Sequence, residues 1–144
     1  MQTRISMQKT APEAYNALLG LEKYIASTSL KPLHKELIKI RASQINGCAF
    51  CINMHTAEAR KLGETEQRIF LISAWREADY FTEEEQAILA LTEEVTLIAN
   101  HVKDETYQNA ARFFDEKYLA EIIMMIITIN AWNRMAITTG MRAS

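Results

Sequence analysis

The chain has little cysteine, proline or glycine: of its 144 residues, two are cysteine, two are proline and four are glycine. Two cysteines are too few for the disulfide framework of a small secreted scaffold, so that class is excluded. Sparse proline and glycine leave long uninterrupted stretches, which favours helices. Strand patterns are also missing, because no alternating run of β-branched residues is bounded by turn residues.

Charge of one sign is not concentrated anywhere in the chain. The formal net charge is -2, with 16 basic and 18 acidic side chains, and the basic ones are scattered through every segment. Binding to DNA or RNA requires a basic patch or stripe. We therefore expect no nucleic-acid partner.

The sequence also lacks the pattern of a signal peptide or a membrane span. Residues 1–13 are mostly polar and include no apolar core of the kind that a signal peptide needs. The most apolar run, residues 119–132, is interrupted by Glu121, Thr128 and Asn130 and is shorter than the ~18 to 20 residues that cross a bilayer. We expect a cytoplasmic protein that has no membrane partner.

Apolar residues recur at helical spacing along the whole chain, which predicts one all-α domain of six to seven helices over residues 1–144. Two predicted helix starts, Thr10 and Thr82, are followed three residues later by glutamate, the spacing of a capping box. Gly47, Gly63 and Gly140 are expected to end helices. The predicted starts are Thr10, Pro32, Cys48, Glu64, Thr82, Asp104 and Asp115.

The last predicted helix is apolar around nearly its whole circumference between Leu119 and Ile129. A helix on the surface of a monomer would have a polar half. We therefore infer that part of this helix packs against a second subunit in a homo-oligomer. The alternative is that it is the central core helix of a monomer.

Reactive side chains are concentrated between Glu36 and His55. Asn46-Gly47 is a turn signal, so Cys48 falls at the first position of the next helix and Cys51 lies one turn further in. Cβ atoms three residues apart in a regular helix are ~5 to 6 Å apart, whereas a disulfide needs ~3.8 Å. A disulfide here requires a helix end that can adjust, and the same helix N-terminus favours a thiolate.

His55 lies four residues after Cys51, on the same helical face, so its imidazole is placed to accept the Cys51 proton. If the two helices form an antiparallel hairpin about residue 46, Glu36 precedes the corner by ten residues and His55 follows it by nine. The two side chains then lie level, and Glu36 can orient His55 or relay its proton. Ser43 is expected to point toward the same region.

Two other interpretations of these residues are open. The cysteines could simply pack in a core, as free cysteines often do. Alternatively, Cys48, Cys51 and His55 could bind zinc with His34 or His101 as the fourth ligand, although the usual distant second ligand pair is absent. Outside such a site, both of these histidines are expected at the surface.

The spacing Glu36, Ser43, Cys48-x-x-Cys51-x-x-x-His55 resembles the signature of the alkyl hydroperoxidase D-like branch of the carboxymuconolactone decarboxylase family. The flanking residues 45–51 and 130–134 are also similar to this family, so the resemblance covers nearly the whole chain. It implies an all-helical domain that assembles as a dimer, trimer or hexamer, with each active site near a subunit interface.

The resemblance also implies an activity, that of a thiol-dependent peroxidase that reduces hydroperoxides. Cys51 would attack the peroxide, Cys48 would resolve the product as a disulfide, and His55 and Glu36 would form the proton relay. An external dithiol, often lipoyl-bearing in the family, would regenerate the pair, and no bound cofactor is required. Some peroxidase members have a histidine where this chain has Phe50, which argues against efficient peroxidase activity more than against general disulfide chemistry.

Two further function classes remain open. The family's other branch contains decarboxylases and lactone-processing enzymes, which generally lack the cysteine pair, so the sequence argues against this activity. The other class is a non-catalytic assembly or stress-adaptor protein.

Overall fold

The computed structural model describes residues 4–144, and the regular structure in that range is entirely helical. The prediction of an all-α fold is therefore confirmed. Short 3-10 helices follow α5 and α6, at Ile72–Glu77 and Ile98–Asn100. The α-helices are α1 (Met7–Thr10), α2 (Pro12–Ser27), α3 (Pro32–Asn46), α4 (Ala49–Lys61), α5 (Glu66–Leu71), α6 (Glu83–Thr96), α7 (Asp104–Phe113) and α8 (Glu116–Thr139).

Most predicted helix ends are confirmed. The capping box at Thr82 is formed with Glu85, and the Asp115 carboxylate accepts a hydrogen bond from the Tyr118 amide. Gly47 ends α3 and Gly140 ends α8, both in the left-handed conformation that glycine adopts without strain.

The capping box predicted at Thr10 is wrong. Thr10 is the last residue of the single-turn helix α1, and its backbone amide donates to the Ser6 carbonyl. Helix α2 begins at Pro12, and Ala11, which precedes it, makes no side-chain cap. Because the Thr10 amide already donates to Ser6, it is not free to donate to the Glu13 carboxylate, as a capping box requires.

The predicted helix over residues 64–77 is divided in two. The Glu64 amide donates to the Ala59 carbonyl at the end of α4, so α5 begins only at Glu66, capped by Thr65. Beyond Leu71 the chain tightens into 3-10 geometry with a non-helical residue at position 74. This irregular segment buries Trp75, whose indole nitrogen donates to a carboxylate of α6.

Helix α8 lies at the centre of the fold and contacts α2, α3, α4, α6 and α7. It is long and apolar enough to span a membrane by length and composition alone. However, its buried Glu121 accepts hydrogen bonds from the backbone amide and hydroxyl of Ser29, as expected of a core helix in which buried polar groups are paired. The chain's own helices thus cover much of α8, while Ile127 and Ile137 remain more than 40% exposed (44% and 43%).

The corner between α3 and α4 is attached to α8 by three asparagines. Asn46 Nδ2 lies 2.9 Å from Oδ1 of both Asn130 and Asn133, and donates a hydrogen bond to each. Asn133 Nδ2 in turn donates to the Ser43 hydroxyl at 3.0 Å. These amide contacts, in which Asn130 and Asn133 are buried and Asn46 is half-buried, fix the position from which α4 starts.

Candidate redox site

Cys48 and Cys51 are joined by a disulfide at the start of α4, with their Cα atoms 5.3 Å apart. Cys48 is the N-cap residue and has extended backbone angles, φ -84° and ψ 91°, whereas Cys51 lies in the first turn of the helix. The N-cap position is outside regular helical geometry, which allows the Cys48 sulfur to reach Cys51. The requirement for an adjustable helix end is met in this way.

The two cysteines are buried, with 2% of Cys48 and 4% of Cys51 exposed. Cys51 nevertheless lines a cavity of about 280 Å³. His55 lines the same cavity, so the two residues border one space. The remaining wall is mostly apolar and is formed by Tyr15, Glu22, Lys39, Phe50, Met54, Glu58, Trp132, Met135, Ala136 and Met141.

His55 lies between two carboxylates. Its Nδ1 is 3.6 Å from Glu36 Oε2 across the α3–α4 hairpin and 3.1 Å from Glu58 Oε2 on its own helix. The predicted hairpin register, in which Glu36 and His55 lie level, is therefore observed. When neutral imidazole donates its Nδ1 proton to a carboxylate, its lone pair is on Nε2, the form that can accept a proton.

Glu36 is a buried carboxylate that stays charged. Burial raises the pKa of Glu36, but its contact with His55 and the ammonium group of Lys39 together hold that pKa below its ordinary value. Lys39 Nζ is 3.2 Å from Oε1. Oε2 has no hydrogen-bond partner and faces His55, so its negative charge is available to orient the imidazole and to stabilise its protonated form.

The same region contains a group of side chains that could hold a divalent metal ion. The ligand atoms of Glu36, His55 and Glu58 all lie within 4.8 Å of one another. The zinc ligands considered from the sequence, Cys48, Cys51 and His55 with a further histidine, are a different set. They do not form a zinc site in this structure, because the two cysteine sulfurs are bonded to each other rather than available as thiolate ligands.

His34, one of the two histidines considered as the fourth zinc ligand, also lies elsewhere. Its Nδ1 is 2.8 Å from the Tyr118 hydroxyl, and its ring packs against Phe114. The expectation of a surface position is wrong for His34, which is only 6% exposed. Burial, aided by the nearby Lys31, lowers the pKa of His34. His101 is exposed, as predicted.

Comparison with known proteins places the chain in a family. Residues 12–94, more than half of the chain, match the model of the carboxymuconolactone decarboxylase family. The chain belongs to this family. An uncharacterized family relative, YdfG of Bacillus subtilis (strain 168), is 46% identical over 145 residues, which cover 100% of this chain and 99% of the relative.

Solved structures show the same fold. A protein of unknown function from Agrobacterium tumefaciens, named as a candidate antioxidant defence protein AhpD, is 40% identical with a TM-score of 0.96, and the match covers 99% of both chains. A peroxidase-related protein from Ralstonia eutropha JMP134, named as an alkylhydroperoxidase AhpD core, has a TM-score of 0.83. It is 20% identical and the match covers 96% of this chain and 74% of that one, so this second likeness concerns the fold alone.

Sequence reasoning missed some members of the site and misplaced one. Glu58 and Lys39 contact the His55–Glu36 pair, and each lies three residues after its partner, a spacing that could have revealed them. Ser43 was expected beside this pair. Its hydroxyl instead accepts a hydrogen bond from Asn133, so it serves the α3–α4 corner.

Proposed function

We propose that this family member is a thiol-dependent peroxidase that reduces hydroperoxides through Cys48 and Cys51. One observation carries the proposal: Cys51, half of a disulfide, shares a cavity with His55, and His55 lies against the buried, charged Glu36. A nucleophile, a base and an orienting group are the parts that an activated thiolate requires. The AhpD-type structural relatives support a redox role.

In the first step His55 accepts the Cys51 proton, and the thiolate is stabilised by the N-terminus of α4. The sulfur attacks one oxygen of the hydroperoxide, the O–O bond breaks, and the departing alkoxide takes a proton from His55 to leave as alcohol. Cys51 is then a sulfenic acid. Glu36 holds the imidazole in position and balances its positive charge.

In the second step the Cys48 sulfur attacks the Cys51 sulfenic acid, a disulfide forms and water leaves. An external dithiol restores both thiols by exchange and is itself oxidised to a disulfide. Because this cycle needs a supply of reduced thiols, the proposal places the protein in the cytoplasm. No bound cofactor enters the cycle.

The second candidate is a thiol-disulfide oxidoreductase that acts on disulfides rather than peroxides. Phe50 favours it, because this residue packs against the cysteines and lines the cavity without a group that can donate or accept a proton. Such an enzyme would use the same two sulfurs and the same His55.

Thiol titration tests the proposal directly. The reduced chain has two cysteines, and we expect one equivalent of hydroperoxide to reduce the number of titratable thiols from two to none, because both sulfurs enter the disulfide. Dithiothreitol should restore both. The titration is carried out in denaturant, since both side chains are buried.

The same titration separates the candidates. If hydroperoxide leaves both thiols intact while a small disulfide oxidises them, the second candidate is correct. Loss of thiols that dithiothreitol does not restore would indicate overoxidation and contradict the resolving role of Cys48.

We also propose that the protein is a homo-oligomer whose interface includes the outer face of α8. An apolar cleft of about 620 Å³ lies between α6, α7 and α8, and is lined by Leu91, Val95, Ile98, Val102, Tyr107, Ile123, Ile127, Asn130, Ala131 and Arg134. Ile98 and Ile127 are 56% and 44% exposed. Adjacent exposed apolar side chains of this kind are typical of association surfaces.

A charge in this cleft should dissociate the oligomer. We expect Ile127→Glu to be a monomer by light scattering coupled to gel filtration, because the carboxylate would be desolvated in the interface. Glu105→Gln, at an exposed position of α7, serves as the control and should keep the wild-type mass. A monomeric wild-type protein would refute this part of the proposal.

A further inference from the structure

The two cysteines of the disulfide line different spaces. Cys51 lines the cavity that also contains His55. Cys48 lines a separate cleft of about 350 Å³ between the start of α4 and the end of α8, formed by Gly47, Cys48, Ala49, Ile137, Gly140, Met141, Arg142 and Ala143. We call this the C-terminal cleft. Met141 lines both spaces and lies at the boundary between them.

We infer that the C-terminal cleft is the entrance for the thiol reductant, which attacks the disulfide at Cys48, while the oxidant reaches Cys51 from the opposite side. This inference rests on the proposed function and assigns the two half-reactions to two separate binding sites. A product that still occupies the Cys51 cavity would then not block reduction.

The chemistry of thiol exchange favours attack at Cys48. The incoming thiolate bonds to Cys48 Sγ, the Cys48–Cys51 bond breaks, and the electron pair leaves on Cys51. A thiolate of lower pKa leaves faster. Both sulfurs lie at the N-terminus of α4, where the Cys51 amide donates a hydrogen bond to Cys48 Sγ. The difference between them is His55, which lines the cavity with Cys51 and can protonate or stabilise the departing Cys51 thiolate.

A second exchange step releases Cys48 and completes the reduction of the disulfide. The second thiol of the reductant attacks the mixed disulfide at its own first sulfur, and Cys48 leaves as a thiolate that takes a proton from solvent. The reductant ends as a cyclic disulfide, having supplied two electrons. The enzyme recovers both thiols.

The shape of the cleft defines the class of reductant. Cys48, which lines the cleft, is only 2% exposed, and the surrounding positions at Gly47, Ala49 and Gly140 have minimal side chains. A slender, unbranched thiol arm fits such a space, whereas a thiol held flat on the surface of a folded protein does not reach the sulfur. Exposed Arg142 adds a positive charge that favours an anionic arm.

A pair of space-filling variants tests the assignment. Ala49→Trp should close the C-terminal cleft, and Met54→Trp should fill the Cys51 cavity. We expect Ala49→Trp to slow reduction of the disulfide by dithiothreitol roughly tenfold or more, since reacting atoms held out of position lose rate steeply, and to leave oxidation by hydroperoxide unchanged. Met54→Trp should show the opposite pattern. Ile137→Trp closes the same cleft from α8 and repeats the test if the first variant does not fold.

The reduction assay starts from protein oxidised with diamide, so it does not require peroxide activity. Failure of peroxide to oxidise the wild type would refute the proposed function and leave this test intact. Reduction of Ala49→Trp and Ile137→Trp at the wild-type rate would overturn the cleft assignment alone.

The site of attack is read independently by mass spectrometry. Oxidised wild-type protein is mixed briefly with 2-mercaptoethanol, and the freed thiol is then alkylated with iodoacetamide. We expect mercaptoethanol on Cys48 and the alkyl group on Cys51. The reverse labelling would overturn the inference.

Discussion

Replacing Cys51 by serine is expected to lower the rate of hydroperoxide consumption by at least about a thousandfold, the order of loss seen when an enzyme loses its nucleophile. Serine keeps the size of the side chain but is not ionised near neutral pH. Cys51 is the cysteine that lines the cavity with His55, whereas the residues that the structure describes in the wall of the cleft lined by Cys48 include no histidine or carboxylate side chain that could act as a base. Peroxide consumption is measured with excess dithiothreitol and corrected for the reaction of dithiothreitol alone.

Cys48→Ser is the matched control, because it removes one sulfur from the same disulfide. This variant should still react once with hydroperoxide and then stop, because no second thiol resolves the sulfenic acid on Cys51. Trapping with dimedone should label Cys48→Ser and leave Cys51→Ser unlabelled. Equal labelling of both variants would show that the two sulfurs are interchangeable and would contradict their assigned roles.

The fold was predictable wherever a local pattern decides the structure. Thr82, Asp115, Gly47 and Gly140 act within one turn of the chain, and the structure uses each as its residue type suggests. Thr10 fails because two valid starts compete: Ser6 caps a preceding turn and draws the Thr10 amide into it. A pattern of spacing alone does not rank such alternatives.

The division after Leu71 has a long-range cause. Trp75 reaches the core and donates to Glu93, which also pairs with Arg41 and Arg76. The hydrogen bonds to the Glu93 carboxylate come from residues that are far apart in the sequence. Placing Trp75 to make one of them requires the chain to leave the continuous helix for a tighter turn. Helical periodicity has no information about these partners.

The candidate site also has one part that local sequence patterns predict and one part that they do not. Residues three or four apart on α4, and the pairing of two helices about a short turn, are enough to place Cys51, His55 and Glu36 together. The opposite wall of the cavity, with Trp132, Met135 and Met141, comes from the end of α8. The position of this wall relative to α4 depends on how the whole core packs, which the spacing of nearby residues does not define.

The second large effect concerns Glu36, which we regard as a positioning residue because it acts through His55. We expect Glu36→Gln to slow the reaction of Cys51 with hydroperoxide by about a hundredfold, the lower part of the range for general-base catalysis. A glutamine at this position is uncharged, so it no longer stabilises the imidazolium that forms when His55 accepts the Cys51 proton. Glu58→Gln is the control, because Glu58 also contacts His55 but is 46% exposed, and its loss should have a much smaller effect.

A change in pH dependence separates this role from a structural one. The alkylation rate of Cys51 by iodoacetamide, measured in the Cys48→Ser background, follows the thiolate fraction. Adding Glu36→Gln should move the midpoint of this profile to higher pH, since the thiolate then lacks a stabilised imidazolium beside it. An unchanged midpoint with a slower peroxide reaction would mean that Glu36 acts only by shaping the cavity.

The free energy of unfolding should also depend on pH through Glu36, and the direction of this dependence can be worked out. The pKa of Glu36 is lower in the folded chain than its ordinary value, so its charged form stabilises the fold above that value, and this contribution is lost as the pH falls through the lowered pKa. In urea unfolding, the wild type should therefore lose free energy of unfolding on acidification more steeply than Glu36→Gln. The two proteins should differ most near neutral pH and converge in acid. Parallel curves would show that folding does not lower the pKa of Glu36. A wild type that gains stability relative to Glu36→Gln on acidification would show that the buried carboxyl group is protonated in the folded protein, and an uncharged Glu36 could not stabilise the protonated His55 that the mechanism requires.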